Sequence, residues 1–172
     1  MHTISLIVHV MAAAVLFGPQ VLMFYAVTPA TWMVQNEALK RDLVKVIAGR
    51  FARLSVVALV VLLVTGLYQY YSIIPAEVRE DPQGYRFGML FAAKMGGFTL
   101  ILVLIGLHVG LYARKIARLS DAVIAGDEEQ RSALETARTQ SFMFSLILLL
   151  VTLVTLALGV ALGDHTYSFS QS

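Results

Sequence analysis

Four long apolar runs constrain the fold of this chain more than any other feature of its sequence. They cover residues 4–28, 54–74, 87–112 and 141–163, and each is long enough to cross a bilayer as an α-helix, which takes about 20 residues. A helix also pairs its backbone groups within its own segment, as a bilayer requires. We therefore predict an all-α membrane protein whose single domain, residues 1–172, forms an antiparallel bundle of four transmembrane helices.

The composition excludes an ordinary soluble domain. Hydrophobic residues make up 58% of the 172 residues and charged residues only 14%, which is far more apolar than a soluble domain of this size. The first run lacks the basic start and small-residue cleavage site of a signal peptide. We therefore expect the first run to be a retained helix within a lipid bilayer.

The 13 basic residues predict the orientation of the chain. Most of them lie between runs 1 and 2 or between runs 3 and 4, and basic loops stay in the cytoplasm. We expect a multi-pass protein of a bacterial inner (plasma) membrane, with both termini outside and both longer loops inside. The basic residues indicate topology, and we predict no nucleic-acid site. The residues concerned are Lys40, Arg41, Lys45, Arg50, Arg53, Arg114, Lys115, Arg118, Arg131 and Arg138.

The two basic loops have the periodicity of helices, and we expect them to extend the transmembrane helices. A turn is predicted at Gly126-Asp127-Glu128, with Asp127 as an N-cap. Pro75 and Pro82 are expected to end the second helix and to precede the third. Pro19, inside the first run, predicts a kink.

Small residues recur at four-residue spacing on two of the predicted helices. Gly106 and Gly110 lie on the third, and Thr155, Gly159 and Gly163 lie on the fourth. Such spacing allows close helix approach. These faces predict contacts inside the bundle, with a membrane protein partner or in a homo-oligomer.

Lys94 and His9 are polar residues inside apolar runs. A charge near the bilayer centre costs about 2.5–3.5 kcal/mol on insertion scales, so such residues usually face the protein interior and indicate function. Lys94 lies eight residues after Arg86, or roughly 12 Å along the helix. His9 reaches a similar depth from the amino terminus, which predicts an outer tier of His9 and Lys94.

A second, inner tier follows from the rotation of about 100° per helical residue. Lys94 and His108 share one face of the third helix, and His9 and Gln20 share one face of the first. Gln20 and His108 would form a tier roughly 15–20 Å from the first. His9 and His108 are therefore not expected to ligate one haem. The outer tier is the favoured cofactor site, and His108 of the inner tier is a further candidate for cofactor binding.

Structural roles are the alternatives for these polar residues. Lys94 can extend its amine to the interface, and His9 or His108 can hydrogen-bond between helices. His2 and His165 near the chain ends can be solvated, although His2 beside a free amino terminus is a candidate copper ligand. His165 is a candidate second ligand at the outer tier.

Cysteine is absent, which excludes disulfides, iron–sulfur clusters and covalent haem attachment. Any metal must therefore bind to His, Met, Lys, Tyr or carboxylate groups. Tyr68 belongs to a group of tyrosines at the outer boundary, where aromatic belts are common, and is a further candidate for the outer tier.

Three segments resemble the copper-resistance protein D (CopD-like) domain. They are "IVHVMAAAVLFGPQVL", "GRFARLSVVALVVLLVTGLY" and "YRFGMLFAAKMGGFTLILVL". The plan is also similar to that of four-helix HemJ-type protoporphyrinogen oxidases. This resemblance implies haem b bound with a first-helix His and a third-helix Lys, and a possible membrane oxidoreductase. The matching positions are His9, Arg50, Phe51, Thr65, Gly66, Tyr85, Gly88 and Lys94.

Three functions follow as hypotheses. The first is haem b or metal binding at His9, with Lys94 as second ligand or as partner of a haem propionate, for redox chemistry or electron transfer, alone or in a larger complex. The second is copper transport or resistance through His2, His9 and scattered Met. The third is a non-catalytic accessory subunit. No catalytic residue is assigned.

Overall fold

The computed structural model describes residues 2–171, and their regular structure is helical. Four helical spans are long and apolar enough to cross a membrane: His2–Trp32, Glu37–Ser72, Arg86–Ile124 and Glu128–Gly163. The predicted all-α membrane protein with four transmembrane helices is confirmed.

Three of the spans combine several helical segments. The first contains α1 (His2–Leu22), a π-helical segment (Met23–Val27) and α2 (Thr28–Trp32); the second is α3 (Glu37–Ser72). The short α4 (Ala76–Glu80) and a 3₁₀ turn (Pro82–Gly84) precede the third span, which contains α5 (Arg86–Leu107), a π-helical segment (His108–Ala113) and α6 (Arg114–Ile124). The fourth joins a 3₁₀ turn (Glu128–Gln130) to α7 (Arg131–Gly163), and α8 (His165–Ser168) follows.

The predicted helical extensions are present. The spans contain 31, 36, 39 and 36 residues, whereas about 20 suffice to cross a bilayer. The additional turns include the basic, amphipathic stretches on either side of the turn at Gly126. Gly126 has φ +101, a left-handed conformation that glycine adopts without steric cost.

One local prediction was wrong in part. Asp127 lies at the N-cap position of the 3₁₀ turn, but its side chain makes no capping hydrogen bond. Pro19 lies inside α1, which continues to Leu22 and is followed by the π-helical segment, and the kink predicted at Pro19 stays a prediction. Pro75 and Pro82 lie as predicted, between the end of α3 and the start of α5.

The chain forms two compact units. The first comprises Met1–Phe17, Leu54–Ile101 and Val151–Ser172, and the second comprises Gly18–Arg53 and Leu102–Leu150. Each unit contains parts of all four spans.

Two antiparallel helix pairs with close contacts are found in the first unit. On α1 and α3, Gln69 donates to the Ser5 carbonyl, and His9 bonds to Thr65 one turn further along. On α5 and α7, a Cβ built on Gly97 would clash with Thr155 Oγ1. Gly97 therefore permits an approach that any larger residue would prevent.

Aromatic side chains are part of a buried cluster in the first unit. Phe87 is 3% exposed and stacks with Phe91, which stacks in turn with Tyr70 of α3. Phe169, directly after α8, packs against Phe87 from the other side. The carboxyl-terminal segment also accepts a hydrogen bond at Ser170 O from Arg86 N. This cluster ties α3, α5 and the carboxyl-terminal segment together.

The second unit has an apolar core between α6 and α7. Leu119 and Val123 of α6 pack with Leu134 and Ala137 of α7. These positions are three or four residues apart on their helices, which places them on one face. The core therefore follows from the amphipathic pattern of the sequence.

A charge cluster lies beside this core, outside the apolar runs. Arg138 of α7 donates two hydrogen bonds to the Glu37 carboxylate, and Ser120 of α6 donates a third. Burial alone would raise the pKa of Glu37, but these hydrogen bonds outweigh it and hold the pKa below its usual value of 4.5. The cluster joins the start of α3 to α6 and α7.

The small-residue faces differ in their surroundings. A Cβ built on Gly106, Gly110 or Gly163 would meet no atom within 4 Å, whereas one built on Gly159 would lie 3.5 Å from Lys94 Nζ. Gly159 therefore contacts a lysine of its own chain, and the partner predicted for the other glycines stays a prediction.

Candidate cofactor site

His9 is held by a threonine on the neighbouring helix. Its ring nitrogen Nδ1 lies 2.7 Å from Thr65 Oγ1, and its Cε1 atom would lie 3.5 Å from a Cβ built on Gly66. The His9 side chain is half-buried. Thr65 and Gly66 therefore fix where the ring lies.

The Thr65 hydroxyl also determines which His9 nitrogen carries a proton. Its oxygen lies 2.6 Å from the Val61 carbonyl, which can only accept, so the single hydroxyl proton points to Val61. Thr65 Oγ1 must then accept from His9 Nδ1–H. In the neutral ring this leaves the lone pair on Nε2.

The free Nε2 lone pair is what a metal ligand requires. Histidines that bind metals usually donate their other ring N–H to a protein acceptor, which orients the ring. The His9–Thr65 bond supplies such an acceptor, and among the described residues no hydrogen bond to Nε2 is present.

Lys94 brings a second nitrogen into the first unit. Its amine contacts the position of Gly159 on α7, where no side chain stands. The side chain is half-buried and, among residues 2–171, forms no hydrogen bond or ion pair. An amine in an apolar run without an acceptor is costly unless something else supplies one.

His9 and Lys94 both belong to the first unit, His9 beside Thr65 of α3 and Lys94 beside Gly159 of α7. That they form one outer tier stays a prediction. Their free donor set is one imidazole nitrogen and one amine. Both can ligate a metal when neutral, and the amine can instead pair with a carboxylate of a ligand.

The residues of the predicted inner tier belong to the second unit. His108 Nε2 lies 2.8 Å from Ser141 Oγ, and its ring stacks on Phe144. Gln20 is buried, and its Oε1 has no hydrogen-bond partner. No hydrogen bond between Gln20 and His108 is found within residues 2–171.

The remaining candidates lie near the ends of helices. His2 is exposed, and its ring is 6.3 Å from that of Tyr68. His165, at the start of α8, is exposed and stacks on Phe169. In the described part of the chain, neither histidine has a hydrogen bond to His9 or Lys94.

Sequence reasoning missed two residues that shape the site. Gly159 was assigned to a helix-packing face, but it provides the space in which the Lys94 amine lies. Ser141, the partner of His108, carries no sequence signal. Spacing showed that Gly159 permits close approach but not which side chain approaches it.

Comparisons with known proteins identify no relative. No protein-family model, no curated protein and no solved structure matches the chain.

Proposed function

We propose that the first unit binds haem b, or a metal ion, through His9 Nε2, and that the protein serves redox chemistry or electron transfer in a membrane. The observation that carries the proposal is the Thr65 hydroxyl bonded to both Val61 O and His9 Nδ1. It leaves an unpaired nitrogen lone pair inside an apolar span. The site is proposed to lie in the outer half of a bacterial inner membrane.

Haem fits this donor set better than a metal ion held by protein alone. Among the described residues no group of three or more His, Asp or Glu side chains can hold a metal. The macrocycle of a haem supplies four ligands itself, so one or two protein ligands are enough. Bound haem b supplies one-electron redox chemistry.

Each residue has a definite part in this proposal. His9 would ligate the haem iron through Nε2, and Thr65 accepts the Nδ1–H hydrogen bond that leaves the Nε2 lone pair available. Lys94 is the second ligand or pairs with a propionate. Since Lys94 has no acceptor within the described chain, either role supplies its missing partner.

Absorption spectra test the proposal directly. The protein, purified in mild detergent from cells supplied with haem precursor, is expected to give a b-type spectrum whose Soret band shifts on reduction with dithionite. His9→Ala should lose more than 90% of this absorption, because it removes the ligand atom. Lys94→Met should shift the spectrum if Lys94 is a ligand and lower haem retention without a shift if it pairs with a propionate.

His108→Ala is the matched control, since His108 is also half-buried and hydrogen-bonded but belongs to the second unit. It should keep the b-type spectrum. A colourless wild-type protein with full helical content by circular dichroism would contradict the haem proposal.

The two other hypotheses remain predictions with their own readouts. Copper transport predicts metal-dependent growth or copper accumulation that depends on His2 and His9. An accessory role predicts co-purification with a larger membrane assembly. No contact described above favours either over haem binding.

A further inference from the structure

The basic residues of the second unit fall into two groups that differ in their surroundings. All acidic residues of this unit lie within residues 37–42 and 121–135. The stretches 43–53 and 102–120 contain no aspartate or glutamate. Basic residues occur both beside the acids and in the acid-free stretches.

The basic residues beside the acids are neutralised. Arg41 pairs with Asp121 at 2.6 Å, Arg131 with Glu128 at 2.5 Å and Arg138 with Glu37 at 2.6 Å. Lys40 has no ion pair within 4 Å in the described chain, but it is buried and its charge acts on Glu37. This region therefore has few unpaired charges that could bind a partner.

The basic residues of the acid-free stretches are exposed and have no ion pair within the described chain. Arg53 donates only to the Gly49 carbonyl of its own helix. The six residues are Lys45, Arg50, Arg53, Arg114, Lys115 and Arg118.

The two acid-free stretches overlap along the helix axes. The contacts Glu37–Ser120 and Arg41–Asp121 set the register of α3 against the antiparallel α6. With a rise of about 1.5 Å per residue, Lys45 and Arg50 lie near the level at which the third apolar run ends, where lipid headgroups lie. Arg53 lies about one to two turns further in, and its long side chain can extend to the headgroups.

We propose that these six residues form a basic belt that binds the phosphate groups of anionic phospholipids. A role in topology alone requires basic residues anywhere in the loop, paired or not. Among the described residues of the second unit, the exposed cations without an ion pair lie in the acid-free stretches beside the headgroup region, where each can contact a lipid phosphate. The proposal does not depend on haem binding.

Lipid binding by purified protein tests the belt separately from membrane insertion. In nanodiscs of phosphatidylglycerol and phosphatidylcholine, native mass spectrometry of the released protein should find phosphatidylglycerol enriched among the retained lipids. R53Q/R114Q should weaken phosphatidylglycerol binding about 25-fold, since each cation near an anionic surface contributes roughly fivefold.

R41Q/R131Q is the control with the same change in charge, because both residues are already paired with carboxylates. It should keep the preference for phosphatidylglycerol. Inorganic phosphate added at the same concentration should not displace the lipid.

The belt is excluded if wild-type protein retains both lipids equally, or if both double variants lose binding equally. Displacement by inorganic phosphate would replace the lipid proposal by a site for free phosphate. Circular dichroism of each variant confirms that a loss of binding is not a loss of fold.

Discussion

At the scale of single residues, the direction of the Thr65 hydroxyl proton determines which His9 nitrogen keeps a lone pair at the candidate site. Thr65 has one proton and two neighbours that could receive it, and the Val61 carbonyl takes it. His9 can therefore donate only from Nδ1, and Nε2 stays free.

Thr65→Val keeps the shape of the side chain but removes this acceptor. We expect haem retention to fall about 10- to 100-fold, as for other partners of metal-binding histidines. Titration of haem-free protein with haem, followed by absorption, measures this fall.

Thr65→Ser should restore retention, because it returns the hydroxyl. Thr155→Val is the control, since Thr155 also donates to a carbonyl four residues earlier but bonds to no histidine. Equal affinities in wild type and Thr65→Val would show that the hydroxyl does not position His9.

The sequence predicted His9 and Lys94 as site residues because polar side chains in apolar runs stand out. It matched Thr65 and Gly66 only through the resemblance to a family. The direction of the Thr65 proton depends on a contact between residues 56 positions apart, and helical periodicity within one segment does not specify such contacts.

At the scale of helices, the charge cluster holds the start of α3 against α7. The side chains of Arg138 and Glu37 are 14% and 10% exposed, so removing one partner leaves the other poorly solvated. The cluster lies outside the apolar runs, where water and protons reach its rim.

The ion pair predicts a loss of stability in acid. Because the folded protein holds the pKa of Glu37 below 4.5, the stabilisation is present above that pH and is lost as the pH falls through the lowered value. Glu37→Gln should cost about 1–3 kcal/mol at neutral pH and remove this part of the acid dependence.

Thermal unfolding in detergent between pH 7 and pH 3 measures both effects. Glu128→Gln serves as the control, since the Glu128–Arg131 pair lies on the surface. If the acid dependence of Glu37→Gln equals that of wild type, the pair does not cause it.

The apolar runs predicted the four transmembrane helices. The amphipathic stretches beside them predicted that the helices extend beyond the apolar runs. The π-helical segments Met23–Val27 and His108–Ala113 were not predicted. A π-helix differs from an α-helix in which backbone groups are hydrogen-bonded, and not in the hydropathy of its residues. The composition of a segment therefore does not predict it. The kink predicted at Pro19 was inferred from residue type alone.

At the scale of the whole molecule, the orientation in the membrane is predicted from the distribution of charge, since helix packing does not specify it. The acid-free basic stretches and the turn at Gly126 lie at the ends proposed to face the cytoplasm, and the segment around α4 lies at the opposite ends of its spans. The absence of cysteine makes this easy to measure.

Single cysteines at Asp127 and Glu80, both exposed, should respond differently to a membrane-impermeant maleimide. In intact cells we expect labelling of Glu80→Cys and none of Asp127→Cys, because basic loops remain cytoplasmic. After permeabilisation both should be labelled. Labelling of Asp127→Cys alone in intact cells would reverse the proposed orientation.

The surroundings of the spans could not be predicted from the sequence. Only 6% of the most apolar window of the third span is buried within the chain. Lipid tails are about as apolar as leucine side chains, so hydropathy alone does not distinguish a lipid-facing surface from one that packs against a partner.

The Lys94 amine also affects how much of the protein a cell retains. Because no acceptor lies among the described residues, the amine reduces the stability of the empty protein, and a ligand that supplies an acceptor stabilises the occupied protein by mass action. Membrane quality control removes less stable chains faster. On the proposed function, the cellular abundance of the protein therefore follows the supply of its cofactor.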